Sequence, residues 1–216
     1  PKFSHPDPTV KRRSGFLAPG LTNSTTLGSG VSVPYFLNLG NDRDITFAPK
    51  LYFNQNPLLL AEYRQDFKKS YLIVDSGYTE GYKKIDKKKT KGGRAHFFSN
   101  FNMELLNEEE KTSIVDINLQ KVSNDTYFKI YDLETSLVSK NKSILENNID
   151  FTYQNKDFFF GLTPSFYEDI NKSGNLRNEY ILPIPFKKEI MSDEKFGFVD
   201  LKSNLRFRNY ETNKQT

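Results

Sequence analysis

The sequence predicts an all-β protein, an antiparallel meander of about ten strands without any helix. Apolar and polar residues alternate with a period of two in successive segments, and this places them on opposite faces of a strand. Composition agrees, because 19 Phe and 12 Tyr among 216 residues favour strands over helices. Short polar turn segments separate the alternating runs, which is typical of strands joined as hairpins.

The first three strands are the clearest, at residues 28–39, 44–54 and 58–67. We expect the others at about 71–79, around Ala95–Leu105, around Val115–Gln120, and at about 144–153, 158–168, 178–190 and 196–210. The ninth contains Leu182-Pro183-Ile184-Pro185. Proline has no N–H to donate to a ladder, so we expect this strand to be bent or locally unpaired.

The residue inventory gives no sign of catalysis. The sequence has no Cys, which excludes disulfides and thiolate metal sites within it. Of its two histidines, His5 lies among prolines and His96 on a predicted strand, and neither has partners at metal-ligand spacing. Nucleophile-elbow, P-loop and dinucleotide motifs are missing too. We therefore predict no enzyme, no catalytic or metal-binding residue and no cofactor.

Basic residues cluster in two places. One cluster lies in and just after the polar loop from Gly81 to Gly93; the other, Lys11 to Arg13, lies in a proline-bounded N-terminal stretch. Such clusters can contact nucleic acid or anionic headgroups, but charge runs are more often simply solvated. The loop interleaves Tyr82 with its lysines but has no stacked aromatics and no recognised nucleic-acid fold, so we predict no nucleic-acid partner. Its cluster comprises Lys83, Lys84, Lys87, Lys88, Lys89, Lys91 and Arg94.

Three stretches near the N-terminus resemble a known family. HPDPTVKRRSGFLAPG from residue 5, VPYFLNLGNDRDITFAPKLYF from residue 33 and LLLAEYRQDF from residue 58 are similar to the start of the barrel domain of LptD, a lipopolysaccharide-assembly family also called organic solvent tolerance protein. VSNDTYFKIYDLE, from residue 122, resembles a further element of that family. The resemblance is strongest over residues 3–67, and beyond residue 132 only the alternation continues.

The resemblance implies part of a large transmembrane β-barrel in the outer membrane of a Gram-negative bacterium. Residues 1–24 would be an extended linker from a missing periplasmic domain, and residues 25–216 a partial barrel domain. The implied function is transport of lipopolysaccharide and its insertion into the outer leaflet. The implied partners are lipopolysaccharide, the lipoprotein plug LptE, a periplasmic bridge protein, the barrel-assembly machinery and outer-membrane lipid.

Two prolines stand inside otherwise regular alternation. Pro34 and Pro49 each remove one donor from a strand ladder. In the family, prolines in the first two strands imply a loosened lateral gate through which the lipid leaves the lumen. Taken without the resemblance, they are two prolines tolerated at bulges or edges.

Charged residues on the polar faces would line the lumen of a wide barrel, where they could hold sugar and phosphate groups. For any single residue, simple hydration of a lumen or of a soluble sheet face is the better explanation. These residues are Asp44, Lys50, Glu62, Arg64, Asp66, Arg94, Glu104, Asp116, Lys202, Arg206 and Arg208.

Alternatives remain open at this level. The pattern also fits a different outer-membrane channel or a soluble β-sandwich binding protein, and a nucleic-acid module is a weaker option. One detail conflicts with a barrel whose first strand is 28–39. The long loop at 80–93 would then follow an even-numbered strand and lie in the periplasm, whereas long loops are usually extracellular.

Overall fold

The computed structural model describes residues 12–81, 92–172, 177–193 and 197–210. All strand pairings in these ranges are antiparallel and form two sheets. The all-β prediction is therefore confirmed. The strands are β1 Gly15–Phe16, β2 Gly20–Ser24, β3 Gly28–Ser32, β4 Tyr35–Asn38, β5 Arg43–Phe47, β6 Lys50–Tyr52, β7 Leu59–Phe67, β8 Ser70–Thr79, β9 Arg94–Glu108, β10 Lys111–Val122, β11 Ile144–Asn155, β12 Phe158–Leu162, β13 Ser165–Asp169, β14 Asn178–Asp193 and β15 Gly197–Tyr210.

The large sheet runs in the order β1-β4-β5-β7-β8-β9-β10-β11, after which β12 and β13 both lie between β11 and β14, and β15 follows. A small sheet contains β2, β3 and β6. Within the described ranges, no pairing joins the first strand of the large sheet to β15. No helix in those ranges is long and apolar enough to cross a membrane.

Prolines divide the first strands between the two sheets. The predicted strand 28–39 is wrong as a single strand, because it breaks at Val33-Pro34 into β3 and β4. The predicted strand 44–54 breaks in the same way at Ala48-Pro49, giving β5 and β6. Each proline lacks the N–H that would continue its ladder, and beyond each break the chain joins the other sheet.

The N-terminal stretch also joins the sheets. Residues 1–11 of the predicted linker lie outside the described residues, but β1 pairs with β4 and β2 pairs with β3. β1 and β2 together form one interrupted strand before residue 28, which we call the ribbon 15–24. Its break at residues 17–19 contains Pro19. The boundary predicted at residues 24 and 25 falls in the β2–β3 hairpin, and the division into linker and barrel stays a prediction.

A proline break recurs near the other end of the large sheet. β12 and β13 are separated by Thr163-Pro164. Opposite this break, β14 pairs with β15 throughout Pro183 and Pro185. On its other edge, between Ile181 and Phe186, the ladder is reduced to one backbone hydrogen bond, from Thr163 N to the Pro183 carbonyl at 3.2 Å. The predicted local unpairing of this strand is therefore found on one of its two edges.

A short helix, α1 Tyr127–Tyr131, corrects the prediction that the chain has no helix. It belongs to residues 123–143, which connect β10 to β11 and which we call the cover segment. Five residues are too few to form a stable helix alone, so tertiary packing must supply the stability. Tyr127, Phe128 and Tyr131 are all buried, and Asp132 ends the helix in the left-handed conformation, with φ 43°.

Strand register gives the large sheet two distinct faces. One row of cross-strand partners runs Phe36–Thr46–Glu62–Asp75–Phe98, and we call its face the polar wall. The neighbouring row, Tyr35–Phe47–Ala61–Ser76–Phe97, lies on the opposite face, the apolar wall. Large hydrophobic side chains are exposed on the apolar wall: Phe47, Leu59, Phe67, Tyr78, Phe97, Leu105, Leu119 and Ile149.

Candidate functional site

The cover segment packs on the polar wall, and the main buried cluster of the described chain lies between them. Phe98 of β9 is fully buried, and its ring centroid is 5.4 Å from that of Phe128 in α1. The ring centroid of Tyr131 lies 6.3 Å from that of Tyr52 in β6. Alternation placed Phe98 and Tyr52 on the polar side of their strands, and burial under the cover segment explains why aromatics occur there.

A buried chain of hydrogen bonds fastens α1 to the sheet. His96 Nε2 lies 2.6 Å from Asp75 Oδ1, and His96 Nδ1 lies 3.2 Å from the Tyr127 hydroxyl. A carboxylate can only accept, so Nε2–H donates to Asp75, and Nδ1 and the tyrosine hydroxyl share the second hydrogen bond. Burial raises the pKa of Tyr127 and keeps this hydroxyl protonated.

Gly77 makes room for that histidine. It is the cross-strand partner of His96, and a Cβ at this position would lie 2.5 Å from His96 Cε1 and 2.8 Å from Leu60 Cδ2. Both distances are shorter than carbon atoms tolerate, so a side chain here would push the imidazole away from Asp75. Because Gly77 has no side chain, His96 can reach Asp75 and anchor the cover segment.

Two further contacts hold the ends of the cover segment. Ser136 Oγ donates to Glu62 Oε2 at 2.6 Å. At the other end, the Arg177 guanidinium donates two hydrogen bonds to Asp125, at 2.7 and 2.6 Å, and also bonds Glu168. The bonds from Arg177 lower the pKa of Asp125, although burial opposes them, so this tie persists until the pH falls well below the ordinary aspartate range.

An ionic cluster lies on the polar wall near β1. Asp44 is 2% exposed and accepts from Arg64 Nε at 2.9 Å and from Arg12 Nη1 at 3.0 Å. Asn38 donates to the Arg12 carbonyl at 2.8 Å. Arg12, which we expected to be solvated, therefore fastens the N-terminal stretch to the sheet through a carboxylate that Arg64 already neutralises.

Farther along the polar wall, amides surround a second carboxylate. Asp116 of β10 accepts from Asn100, Asn102 and Asn118, at distances of 2.6 to 3.2 Å. Asn100 also donates to Asn118 at 2.8 Å. This surface is uncharged apart from its aspartates, and its amides both donate and accept, which suits contact with water or sugar hydroxyls.

Comparison with known proteins supports one family over most of the chain. LPS-assembly protein LptD of Shewanella frigidimarina is 24% identical over 203 residues, which cover 93% of this chain and 25% of that protein. The same protein of Francisella tularensis subsp. holarctica is 27% identical over 195 residues, or 89% of this chain and 21% of the relative. The chain is a partial LptD-like protein.

A third LptD, from Nitrosococcus oceani, is 27% identical over 151 residues, covering 67% of this chain and 18% of that protein. The chain thus spans about a quarter or less of these LptD relatives. No protein-family model matches it. These relatives are named as assembly proteins.

The predicted gate residues lie next to one another in this LptD-like sheet. The Pro34 carbonyl accepts from Leu17 N at 2.8 Å, and the Pro49 carbonyl accepts from Val33 N at 3.3 Å. These two bonds place three breaks side by side: that of the ribbon 15–24 and those of the predicted strands 28–39 and 44–54. Because the ribbon comes first, Pro34 and Pro49 lie one strand farther from the sheet edge than the sequence indicated.

The predicted lumen residues are distributed widely along the sheet. Among the described residues, Asp44, Arg64 and Glu62 form one cluster, with Arg64 Nε 3.6 Å from Glu62 Oε1. Lys50 and Arg94 are half-buried, whereas Asp66, Glu104 and Lys202 are exposed, and Asp116 belongs to the amide group. Arg206 and Arg208 pair by register with Pro183 and Ile181, and their side chains lie outside the described part of the structure.

The sequence did not identify the residues that hold the cover segment. Asp75, Tyr127 and Arg177 lie far apart along the chain, and only the fold brings them to their partners. One usable signal was His96, a lone histidine in a strand whose later polar-face positions, from 100 to 104, carry Asn or Glu. In the part of the chain that the structure describes, no three metal-ligating side chains cluster closely enough to hold a metal.

Proposed function

We propose that this chain is part of an outer-membrane β-barrel that transports lipopolysaccharide and inserts it into the outer leaflet. The observation that carries the proposal is the separation of the sheet into an apolar and a polar wall. The apolar wall suits hydrocarbon, and the polar wall suits the sugars of a lipid in transit. The names of the relatives support the same substrate.

The lengths of the connections support a membrane-spanning arrangement. In an antiparallel meander, alternate connections lie at the same end of the sheet. The connections at one end are short, at residues 39–42, 68–69, 109–110 and 156–157. Those at the other end are mostly longer, at residues 25–27, 53–58, 80–93, 123–143 and 170–177.

This asymmetry is typical of outer-membrane barrels, which have short periplasmic turns and long extracellular loops. With residues 15–24 counted as the first strand, the segment 80–93 follows an odd-numbered strand and belongs to the extracellular end. The conflict that arose when residues 28–39 were counted first is thereby removed. A soluble β-sandwich has no equivalent reason to expose so many aromatic and aliphatic side chains on one face.

We further propose that the aligned proline breaks form a weak seam, through which the lipid leaves the lumen sideways. Pro19, Pro34 and Pro49 each remove a ladder donor at the same level of adjacent strands. In a closed barrel the last strand would pair at this edge. The plug LptE, the periplasmic bridge protein and the barrel-assembly machinery are proposed partners by analogy with the family.

Replacing Pro34 and Pro49 with valine, in the full-length protein that carries this chain, is expected to slow lipopolysaccharide export. Valine restores the missing donors and favours the extended backbone of a strand, so the seam would pair more tightly. The measurement is the rate at which new lipopolysaccharide reaches the cell surface after depletion of the native protein. Pro57→Val, in the connection 53–58, is the matched control.

Unchanged export in the double variant would remove the seam from the proposal. If the unmodified protein fails to restore surface lipopolysaccharide after depletion, the transport function itself is wrong. Export restored by Pro57→Val and slowed by the double variant supports both.

A further inference from the structure

A cavity of about 560 Å³ lies between the polar wall and the cover segment. Its floor comes from β4, β5, β7 and β8, and its roof is formed by residues 133–136. This volume falls within the range of small-molecule sites in proteins. Leu17, in the break between β1 and β2, lines one side, so the cavity reaches the broken edge of the sheet.

The lining of this cavity divides by polarity. Leu17, Phe36 and Leu60 provide an apolar surface. On the same floor, Glu62 and Asp75 present carboxylates, in one cross-strand row with Phe36. Their side chains are 22% and 11% exposed, so solvent screens them only in part.

The charge of the lining is negative. Arg64 is the cation among the lining residues, and its guanidinium is already paired with Asp44 at 2.9 Å and lies 3.6 Å from Glu62. Glu134 of the roof adds another carboxylate. A phosphate placed here would meet like charges at short range without a free cation to compensate.

We infer that this cavity binds the uncharged, hydroxyl-bearing part of an amphiphile, such as a neutral sugar unit of a glycolipid, and that it excludes phosphate. The inference rests on the proposed function, because it assigns one part of the proposed lipid substrate to one site. Phosphate groups of the same substrate must then lie elsewhere on the polar wall.

A sugar unit can contact both the carboxylates and the apolar side chains of the lining. Carboxylates accept hydrogen bonds from sugar hydroxyls, and such charge-assisted bonds are stronger than neutral ones. The C–H face of a sugar ring can pack on Phe36 and Leu60, which line the same cavity. Glu62 already accepts from Ser136 at 2.6 Å, which shows that a hydroxyl donor fits this carboxylate.

The test uses the full-length protein in lipid nanodiscs and three probes with the same decyl chain. Decyl maltoside carries neutral hydroxyls, decyl phosphate an anion and decylamine a cation. Binding is measured by competition against a photoactivatable decyl maltoside, with the labelled residues identified by mass spectrometry. We expect labelling of the cavity lining, competition by decyl maltoside and none by decyl phosphate at the same concentration.

Three variants connect that binding to the cavity. Ala48→Phe fills the space beside Leu60 and is expected to weaken decyl maltoside binding by about tenfold or more. Ala95→Phe adds the same group on the apolar wall and is the control, expected to bind as the parent does. Glu62→Gln keeps the shape, removes one charge and is expected to admit decyl phosphate.

Stronger binding of decyl phosphate or decylamine than of decyl maltoside would overturn the inference, as would unchanged maltoside binding in Ala48→Phe. Labelling outside the cavity would overturn it as well. Export of lipopolysaccharide by the parent is assayed in parallel. Intact export without maltoside binding in the cavity contradicts this inference alone, whereas cavity binding without export contradicts the transport function alone.

Discussion

Phe98→Ala is expected to destabilise the protein by about 3–5 kcal/mol, the usual cost of deleting a fully buried phenylalanine. Phe98 has 0% exposure and lies between the His96 ring, stacked at 4.7 Å, and Phe128 of α1. Its removal leaves a cavity under the cover segment, and α1 is too short to stay folded without that contact. Denaturant unfolding in lipid vesicles measures the loss of stability.

Phe97→Ala is the matched control for this prediction. It is the same substitution at the adjacent position, but Phe97 is 46% exposed on the apolar wall and leaves no enclosed cavity. We expect less than half the effect of Phe98→Ala. Trypsin cleavage at Lys129 should accelerate only in the Phe98 variant, because only there does α1 lose its support. Equal destabilisation of both variants would contradict the packing of the cover segment on the polar wall.

Phe101→Arg is expected to lower the free energy of unfolding by about 2–4 kcal/mol, the penalty for an arginine on the lipid face of a barrel near the bilayer midplane. Phe101 is at the centre of β9 and pairs with Leu72 and Ile117, all on the apolar wall. An arginine here must enter hydrocarbon or distort the bilayer. The measurement is again reversible unfolding in lipid vesicles.

Asn100→Arg is the control for this substitution. Asn100 is the preceding residue on the polar wall and donates to Asp116 and Asn118. An arginine there still has a carboxylate to donate to and reaches water, so we expect a cost below about 1 kcal/mol. If both substitutions cost the same, β9 does not separate hydrocarbon from water.

Much of the sheet could be predicted because alternation is a local property. Most strands from residue 58 onwards have nearly their predicted bounds, since each pairs with a neighbour in sequence and buries or exposes alternate residues. The missing ladder donors at Pro34 and Pro49 were also visible in the sequence, although the strands were expected to continue through them. What the pattern could not predict is that the chain moves to another sheet at Pro34 and Pro49, because sheet membership depends on distant partners.

The cover segment was harder to foresee for the same reason. Five residues of helix carry too little periodicity to identify, and Tyr127, Phe128 and Tyr131 resemble a fragment of a strand. Their burial depends on Phe98 and Tyr52, which come from two different strands, and on Leu58 in the connection before β7. The sequence therefore predicted the walls of the site but not the segment that covers one of them or the cavity between them.

The most direct test of the two walls is a cysteine scan of β9 in lipid nanodiscs, which is possible because the sequence has no native Cys. A nitroxide label is placed at each position from 95 to 105, and collision rates with oxygen and with a water-soluble nickel chelate are compared. We predict that labels at 97, 101, 103 and 105 collide with oxygen, that those at 100, 102 and 104 collide with the nickel chelate, and that 96 and 98 are shielded from both. Collision rates without a period of two, or with the chelate reaching the apolar wall, would contradict a sheet with one face in hydrocarbon and the other in water.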